Sequence, residues 1–261
     1  MDKLVVIKIG GNIVDSEANL ALFLDRFAAL KAKKILIHGG GKLATRLAEQ
    51  MNIPQQLVDG RRITDSETLK VVTMVYAGYI NKQVVSALHA RHCNAAGFSG
   101  ADGNLIRAHK RTGGNIDYGY AGDVDEVNAG LLTTLLEAGL VPVLAPITHD
   151  GKGQLLNTNA DTIAQETAKA LSRHYEVHLV YSFEKEGVLL HVDDPLSVIS
   201  TIDPQTYTEL KAKGSIFAGM IPKLDNAFAA LEKGVRRVII GKAEDIDQLI
   251  TGEKGTSIVT G

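Results

Sequence analysis

Four short segments hold the residues best suited to chemistry. In Lys8-Ile9-Gly10-Gly11-Asn12 a lysine interrupts an apolar run and two glycines follow it. A charged lysine on a strand buried on both faces is costly unless it is paired. Lys8 therefore reads either as an edge or snorkelling lysine or as a cation at a strand mouth, facing an anion. Gly10 and Gly11 carry no side chains, so their N–H groups can come close to that anion. His38-Gly39-Gly40-Gly41-Lys42 is a glycine-rich turn entering a helix. It is either a tight structural turn or an anion site made of free N–H donors and the positive helix end. Its spacing matches neither GxxxxGK[ST] nor GxGxxG, which argues against a Walker loop and a dinucleotide fold. In Gly219-Met220-Ile221-Pro222-Lys223, proline suits the first helical turn. Lys223 then sits beside the positive dipole end, an exposed lysine at a cost of about 0.3–1 kcal/mol unless a bound phosphate removes the conflict. In Asn157-Thr158-Asn159-Ala160-Asp161, either Asn159 or Asp161 caps the next helix, or Asp161 holds lysine ammonium groups in place.

Short β-branched runs alternate with longer helical patterns, and these elements must position the four segments. Strands are expected over 3–9, 34–37, 140–145, 177–181 and 237–240. Helices are expected over 19–32 (Leu20, Phe23, Leu24 and Phe27 on one face), 42–51, 161–171 and 222–233, the last closed by Gly234. Residues 65–90 read as one long helix or two joined ones. Continuous apolar strands fit a mainly parallel sheet buried on both faces. The alternation implies an α/β fold, a three-layer αβα sandwich. Such sheets bind ligands at the carboxyl ends of their strands. The stretch 97–127 is rich in Gly, Asp and Asn and reads as an antiparallel β-hairpin insertion. A division near residue 172 separates two lobes, 1–172 and 173–261, of one continuous sheet.

The 261 residues, 45% of them hydrophobic, can bury a sizeable core. A formal net charge of −2 offers no basic surplus for nucleic acid. The single cysteine, Cys93, forms no intrachain disulfide, and no Cys/His spacing suggests a metal site. No segment reads as a membrane span or signal peptide, so a soluble cytoplasmic protein is expected.

Taken in order, KIGGN, HGGGK, the GRRIT stretch from Gly60 to Thr64, LNTNAD and GMIPK resemble the amino acid kinase family over nearly the whole chain. LNTNAD and GRRIT favour the branch that acts on N-acetylglutamate. The resemblance implies an N-terminal lobe, 1–172, that binds acylglutamate and dimerises, and a C-terminal lobe, 173–261, that binds ATP. It implies that Lys8 and Lys223 contact the transferring phosphoryl group while Asp161 orients both. Gly10, Gly11, Gly39 and Gly219 would bind phosphate oxygens. Gly40, Gly41, Arg62, Asn157 and Asn159 would bind substrate, with Arg62 pairing the α-carboxylate. Mg²⁺ would travel on the ATP phosphates, and the product would be an acylglutamyl 5-phosphate in arginine biosynthesis. Relatives that form arginine-inhibited hexamers carry an extra N-terminal helix. Here the first strand begins at once, so a homodimer without arginine feedback is expected. Its candidate face is Leu69, Val72, Val75, Tyr76 and Tyr79, a set equally suited to an internal core.

Two stretches depart from the family pattern. The usual Asp-Val-x-Gly reads Tyr181-Ser182-Phe183-Glu184-Lys185-Glu186-Gly187, without the aspartate and one residue longer, which bears on nucleotide contacts. The usual Gly-His-Val-Gly reads Gly119-Tyr120-Ala121-Gly122, near the acyl end of the substrate. A changed pocket there leaves N-succinylglutamate as an alternative acceptor. Another amino acid kinase, such as one for aspartate, and a catalytically silent sensor of amino acid or nucleotide are the other readings.

Overall fold

The computed structural model describes residues 1–58, 60–112, 116–191, 193–216 and 220–261. The chain opens with β1 (Lys3–Ile9), α1 (Gly11–Val14), α2 (Glu17–Ala29), β2 (Lys33–His38) and α3 (Gly41–Gln50). A small hairpin follows, β3 (Leu57–Val58) with β4 (Arg61–Arg62). Next comes a continuous helical rod of α4 (Ser66–Thr73), a π-helical stretch (Met74–Ile80) and α5 (Asn81–His89). Then come β5 (Ala95–Phe98), β6 (Ile106–Lys110), β7 (Ala121–Val127), α6 (Ala129–Glu137), β8 (Val141–Leu144), β9 (Ile147–His149), β10 (Leu155–Thr158) and α7 (Ala160–Leu171). The last third holds β11 (Glu176–Phe183), β12 (Thr201–Ile202), α8 (Pro204–Ala212), α9 (Ile221–Glu232), β13 (Arg237–Lys242), α10 (Ile246–Thr251) and β14 (Thr256–Ile258).

Among the described residues the main sheet runs β12-β14-β13-β11-β1-β2-β8-β5. Every pair from β13 to β5 is parallel, and β14 lies antiparallel to β13. The first strand sits between β2 and β11, so the chain builds outward from β1 in both directions. That is a topological switch point, where a crevice opens outside the carboxyl ends of the strands.

Alternation along β1 divides the core in two. Val5, Ile7 and Ile9 join Phe23, Leu24 and Phe27 of α2, with α3, the 66–89 rod and α10. Leu4 and Val6 join α6, α7 and α9 through Leu132, Ile163, Ala164, Leu224 and Ala227. Lys8 lies in phase with Leu4 and Val6 and so shares the face that α7 and α9 cover. The result is the expected αβα sandwich.

Several boundaries differ from the sequence expectation. The helix expected over 19–32 begins at Glu17 because the Ser16 side chain caps it, accepting from Asn19 N–H at 3.4 Å. It stops at Ala29, where Leu30 is extended and Lys34 reaches in from β2. The Lys34 ammonium donates to the carbonyls of Phe27, Ala28 and Leu30 at 2.7, 3.0 and 2.8 Å, closing the helix with a buried cation. In the expected insertion, Gly97 and Phe98 instead belong to β5, the parallel edge of the main sheet. The antiparallel pair β6–β7 closes a small barrel with β9 and β10. Strands of three and four residues show no period that sequence reading can detect. Gly113, Gly114 and Asn115 lie outside the described residues. Of the expected dimer face, Leu69, Val72, Val75 and Tyr76 are buried in the chain's own core, and Tyr79 is 61% exposed. Cys93 is buried and unpaired. Among the described residues no helix is long and apolar enough to cross a membrane.

The lysine cap predicts a large cost for one substitution. Lys34→Ala removes three charge-assisted hydrogen bonds and should lower the unfolding free energy by about 3 kcal/mol in urea melts. The exposed neighbour substitution Lys31→Ala should change it by less than about 0.5 kcal/mol. Equal effects would remove the capping role.

Candidate active site

The site begins with Lys8. Its strand face turns it toward the start of α7, and its Nζ lies 2.7 Å from Asp161 Oδ1, with the two side chains 18% and 35% exposed. Asp161 is free for this pairing because the Asn159 side chain caps α7, accepting from the N–H groups of Asp161 and Thr162 at 2.8 and 3.2 Å. The two uses of this segment that the sequence left open are thus divided between two residues. Tyr181, on the neighbouring β11, donates from its hydroxyl to the Asp161 carbonyl at 3.5 Å. Burial, then the charges of Asp161 and Glu166, hold that phenol far above its ordinary pKa, so it stays neutral.

Two glycine turns meet beside this pair. Gly10 follows β1, and its carbonyl accepts from Ile13 and Val14 N–H at 3.2 and 3.3 Å. Gly39 N–H donates to Ile9 O at 3.2 Å, which ties the second turn to the first. Gly40 has φ +151°, and a Cβ there would meet Ile80 Cδ1 at 2.2 Å. Only glycine fits, and the residue that demands it comes from the π-helical stretch of the rod. Gly41 then opens α3.

Arg62 is planted against that helix start. It is 7% exposed and donates from Nη2 to Gly41 O at 3.0 Å and Thr45 Oγ1 at 2.8 Å, and from Nη1 to Gln55 Oε1. Asn157, at the end of β10, donates to Thr64 Oγ1 at 3.0 Å, and Thr64 Oγ1 donates to Arg62 O at 2.9 Å. The GRRIT stretch is further stitched to the barrel by Tyr120 N–H, which donates to Thr64 O at 2.6 Å.

Two adjoining cavities result, sharing Gly41, Leu57 and Arg62. One is lined by Gly10, Gly11, Asn12, Lys42, Thr45, Arg46 and Glu184 as well. The other adds Gly39, Gly40, Arg61, Tyr76, Ala121, Gly122, Asn157 and Asn159. Lys42, Arg46, Arg61 and Arg62 thus line cavities whose walls are partly glycine backbone, an arrangement suited to a ligand with several negative groups.

On the nucleotide side of the expectation, α9 begins at Ile221, with Pro222 and Lys223 in its first turn. Gln165 of α7 donates to Asn226 O of α9 at 3.0 Å. Each helix leads into a strand of the parallel set, so the two run the same way. Asp161 and Lys223 lie about one turn before that bond, which sets the two helix starts side by side. Gly219 lies outside the described residues. The departing stretch after β11 puts Glu184 at the first cavity, and Lys242 contacts Glu186 at 3.5 Å.

Sequence reading missed several residues here. Asp15 reads as no more than a helix start, yet its side chain is 10% exposed and 3.8 Å from Arg46 Nη2, under Gly11. Burial raises its pKa, opposed by Arg46, Lys42 and the Leu43 N–H. Arg61 lines the second cavity beside Arg62; the doubled arginine in GRRIT was the available signal. His38 reads from sequence only as the residue before the glycine turn.

The amino acid kinase family model matches residues 3–242. A Parabacteroides distasonis protein named acetylglutamate kinase is 54% identical over 258 residues, covering 99% of this chain and 100% of its own. One of the same name from Cytophaga hutchinsonii is 55% identical over 262 residues, with 99% of each chain covered. Among solved structures, N-acetylglutamate synthase from Neisseria gonorrhoeae, complexed with coenzyme A and N-acetyl-glutamate, matches with a TM-score of 0.82 at 24% identity. That match covers 100% of this chain, which spans 60% of the synthase chain. Giardia carbamate kinase matches with a TM-score of 0.72 at 13% identity, over 100% of this chain and 99% of its own. These two likenesses concern the fold. With the family match running from β1 through β13 and full-length relatives at more than half identity, the chain belongs to the amino acid kinase family.

Proposed function

We propose that this chain transfers the γ-phosphoryl group of ATP to the side-chain carboxylate of N-acetyl-L-glutamate. The observation that carries the reading is the Lys8–Asp161 ion pair at the mouth of β1, beside two glycine turns and Arg62. The full-length relatives named acetylglutamate kinase supply the substrate.

The chemistry asks for little acid–base machinery. A glutamate side chain has an ordinary pKa near ~4.3, so the attacking carboxylate is already ionised at neutral pH. The difficulty is to bring two anions together and to neutralise charge on the migrating phosphoryl group. Lys8 and Lys223 would flank that group, and Asp161 would hold them in register. Gly10, Gly11, Gly39 and Gly219 would offer N–H donors to phosphate oxygens. Gly40, Gly41, Arg62, Asn157 and Asn159 would hold the acylglutamate, with Asn159 using its amide N–H₂ because its oxygen caps α7. Mg²⁺ enters with ATP as part of the substrate. In this reading residues 1–172 bind acylglutamate and 173–261 bind the nucleotide. The enzyme works as a cytoplasmic homodimer, and its product feeds arginine biosynthesis. Exposed Met74 and Tyr79 on the 66–89 rod support a partner on that side.

A second acceptor, N-succinylglutamate, is favoured by Arg61, a further guanidinium at the pocket wall next to Arg62. A third carboxylate would find a cation there.

Three outcomes are expected. Lys8→Ala and Asp161→Asn should each lower kcat by about 10²–10³-fold. Lys8→Ala should shift unfolding free energy by less than about 1 kcal/mol, whereas Asp161→Asn, which leaves a largely buried cation without its counter-charge, should cost more; loss of folding in parallel with turnover for Lys8→Ala would argue for a structural pair. Arg62→Lys should raise KM for the acylglutamate by about tenfold with a smaller change in KM for ATP, because lysine cannot reproduce the fork. In a coupled ADP-release assay, N-acetylglutamate should turn over well and free glutamate and aspartate poorly. Preferential turnover of N-succinylglutamate would move the assignment to that acceptor, turnover with aspartate alone would overturn it, and nucleotide binding without ADP release would make the chain a sensor.

A further inference from the structure

His38 is the last residue of β2, level with Ile9 at the end of β1, and it is fully buried. Its Nδ1 lies 2.8 Å from Gly39 O. A carbonyl only accepts, so Nδ1 carries the hydrogen. Its Nε2 lies 3.2 Å from Asn81 Nδ2. The Asn81 amide is fixed at both ends: Nδ2 also donates to Val143 O at 3.0 Å, and Oδ1 accepts from Lys82 Nζ at 3.1 Å. Nε2 must therefore accept, and the ring is a neutral Nδ1–H tautomer. Burial drives the His38 pKa down to about 4, aided by the Lys82 charge and opposed by the Gly39 carbonyl. Asn81 is itself fully buried, and a Cβ at Gly97 would lie 1.9 Å from its Oδ1, so a glycine in β5 makes the space it occupies.

The Gly39–Gly40 peptide is trans. In a planar trans peptide the N–H points opposite to the C=O. With Gly39 O held by the buried imidazole, the Gly40 N–H points away from the ring, and Gly39, Gly40 and Gly41 all line the second cavity. Glycine at this point has many backbone options, so something outside the turn must select one.

We propose that His38 and Asn81 are positioning residues: the neutral imidazole, held by Asn81, fixes the Gly39 carbonyl and thereby aims the Gly40 N–H at the bound acylglutamate. The functional half of this rests on the acylglutamate reading of that cavity. Neither side chain touches the reacting atoms.

The test exploits two amides that mimic the two ends of the ring. His38→Asn places an N–H₂ where Nδ1 stands and keeps the donor to Gly39 O. His38→Gln places its amide near Nε2, facing Asn81, and loses that donor. His38→Asn should retain kcat and KM for N-acetylglutamate within about threefold, while His38→Gln should raise that KM about tenfold or more. Melting temperatures for both variants should fall by similar amounts. Equal kinetics in the two variants, or the reverse order, would overturn the proposal. Should either variant fail to fold, the unmodified protein answers. Long-range ¹H–¹⁵N spectra of ¹⁵N-histidine-labelled chain near neutral pH should show His38 as the Nδ1–H tautomer, separated from the other low-pKa histidine by comparison with His178→Gln. An Nε2–H tautomer or an imidazolium would sink the idea. If the parent chain does not turn over N-acetylglutamate, the substrate reading fails by itself, and the tautomer decides the hydrogen-bond relay separately.

Discussion

A lysine placed in the central strand of a sheet covered on both faces constrains everything near it. Such a cation needs a counter-charge and a route to water. Both are found at the carboxyl end of β1, where Asp161 meets it and the crevice opens. The position follows from phase. Lys8 is two residues beyond Val6 and so shares the layer of α7 and α9 rather than that of α2. A shift of one residue in the β1 register would turn it into the apolar layer built around Phe23 and Phe27, away from Asp161.

The same constraint organises the helix starts. Asn159 takes over the capping of α7 and leaves the Asp161 carboxylate for the lysine. The Gln165–Asn226 hydrogen bond sets α9 alongside at a fixed height. Charge, helix starts and glycine turns are thus collected at one mouth by elements whose bodies are otherwise plain apolar packing. A fold of this kind stabilises a highly charged transition state by preorganisation, because the donors are in place before the ligand arrives.

Much of this was legible from residue types. Strand β1 was bounded correctly by its apolar run, and Leu20, Phe23, Leu24 and Phe27 did form one buried face of α2. Lys8, the glycine turns and the 157–161 segment stood out because each breaks a local rule, and local rule-breaking is where function shows in a sequence. Other features depended on distant partners. That Lys34 closes α2, though its partners are only four to seven residues back, requires knowing how β2 turns under the end of that helix. The barrel strands β9 and β10 are too short to show a period, and Ala95–Phe98 joins the main sheet because β8 offers an edge. Asp15, His38 and Asn81 look like ordinary boundary or helix residues until the turns they support are folded against them. The change of hydrogen bonding within the 66–89 rod has no compositional mark.

That wider stretch, Met74–Ile80, has a geometric consequence of its own. Each residue of an α-helix advances the phase by roughly 100°, so a π-type widening offsets all that follows by about that angle. The offset lets Leu69 and Val72 before it, and Val84 and Leu88 after it, all face the same apolar layer, while Ile80 sits against Gly40 and Asn81 reaches the floor of β2. Removing a single residue from the rod would let it rewind to regular spacing. Either its far half or the Gly39–Gly41 turn would then be left facing the wrong way, so the length of this segment is as constrained as any side chain in the cavity.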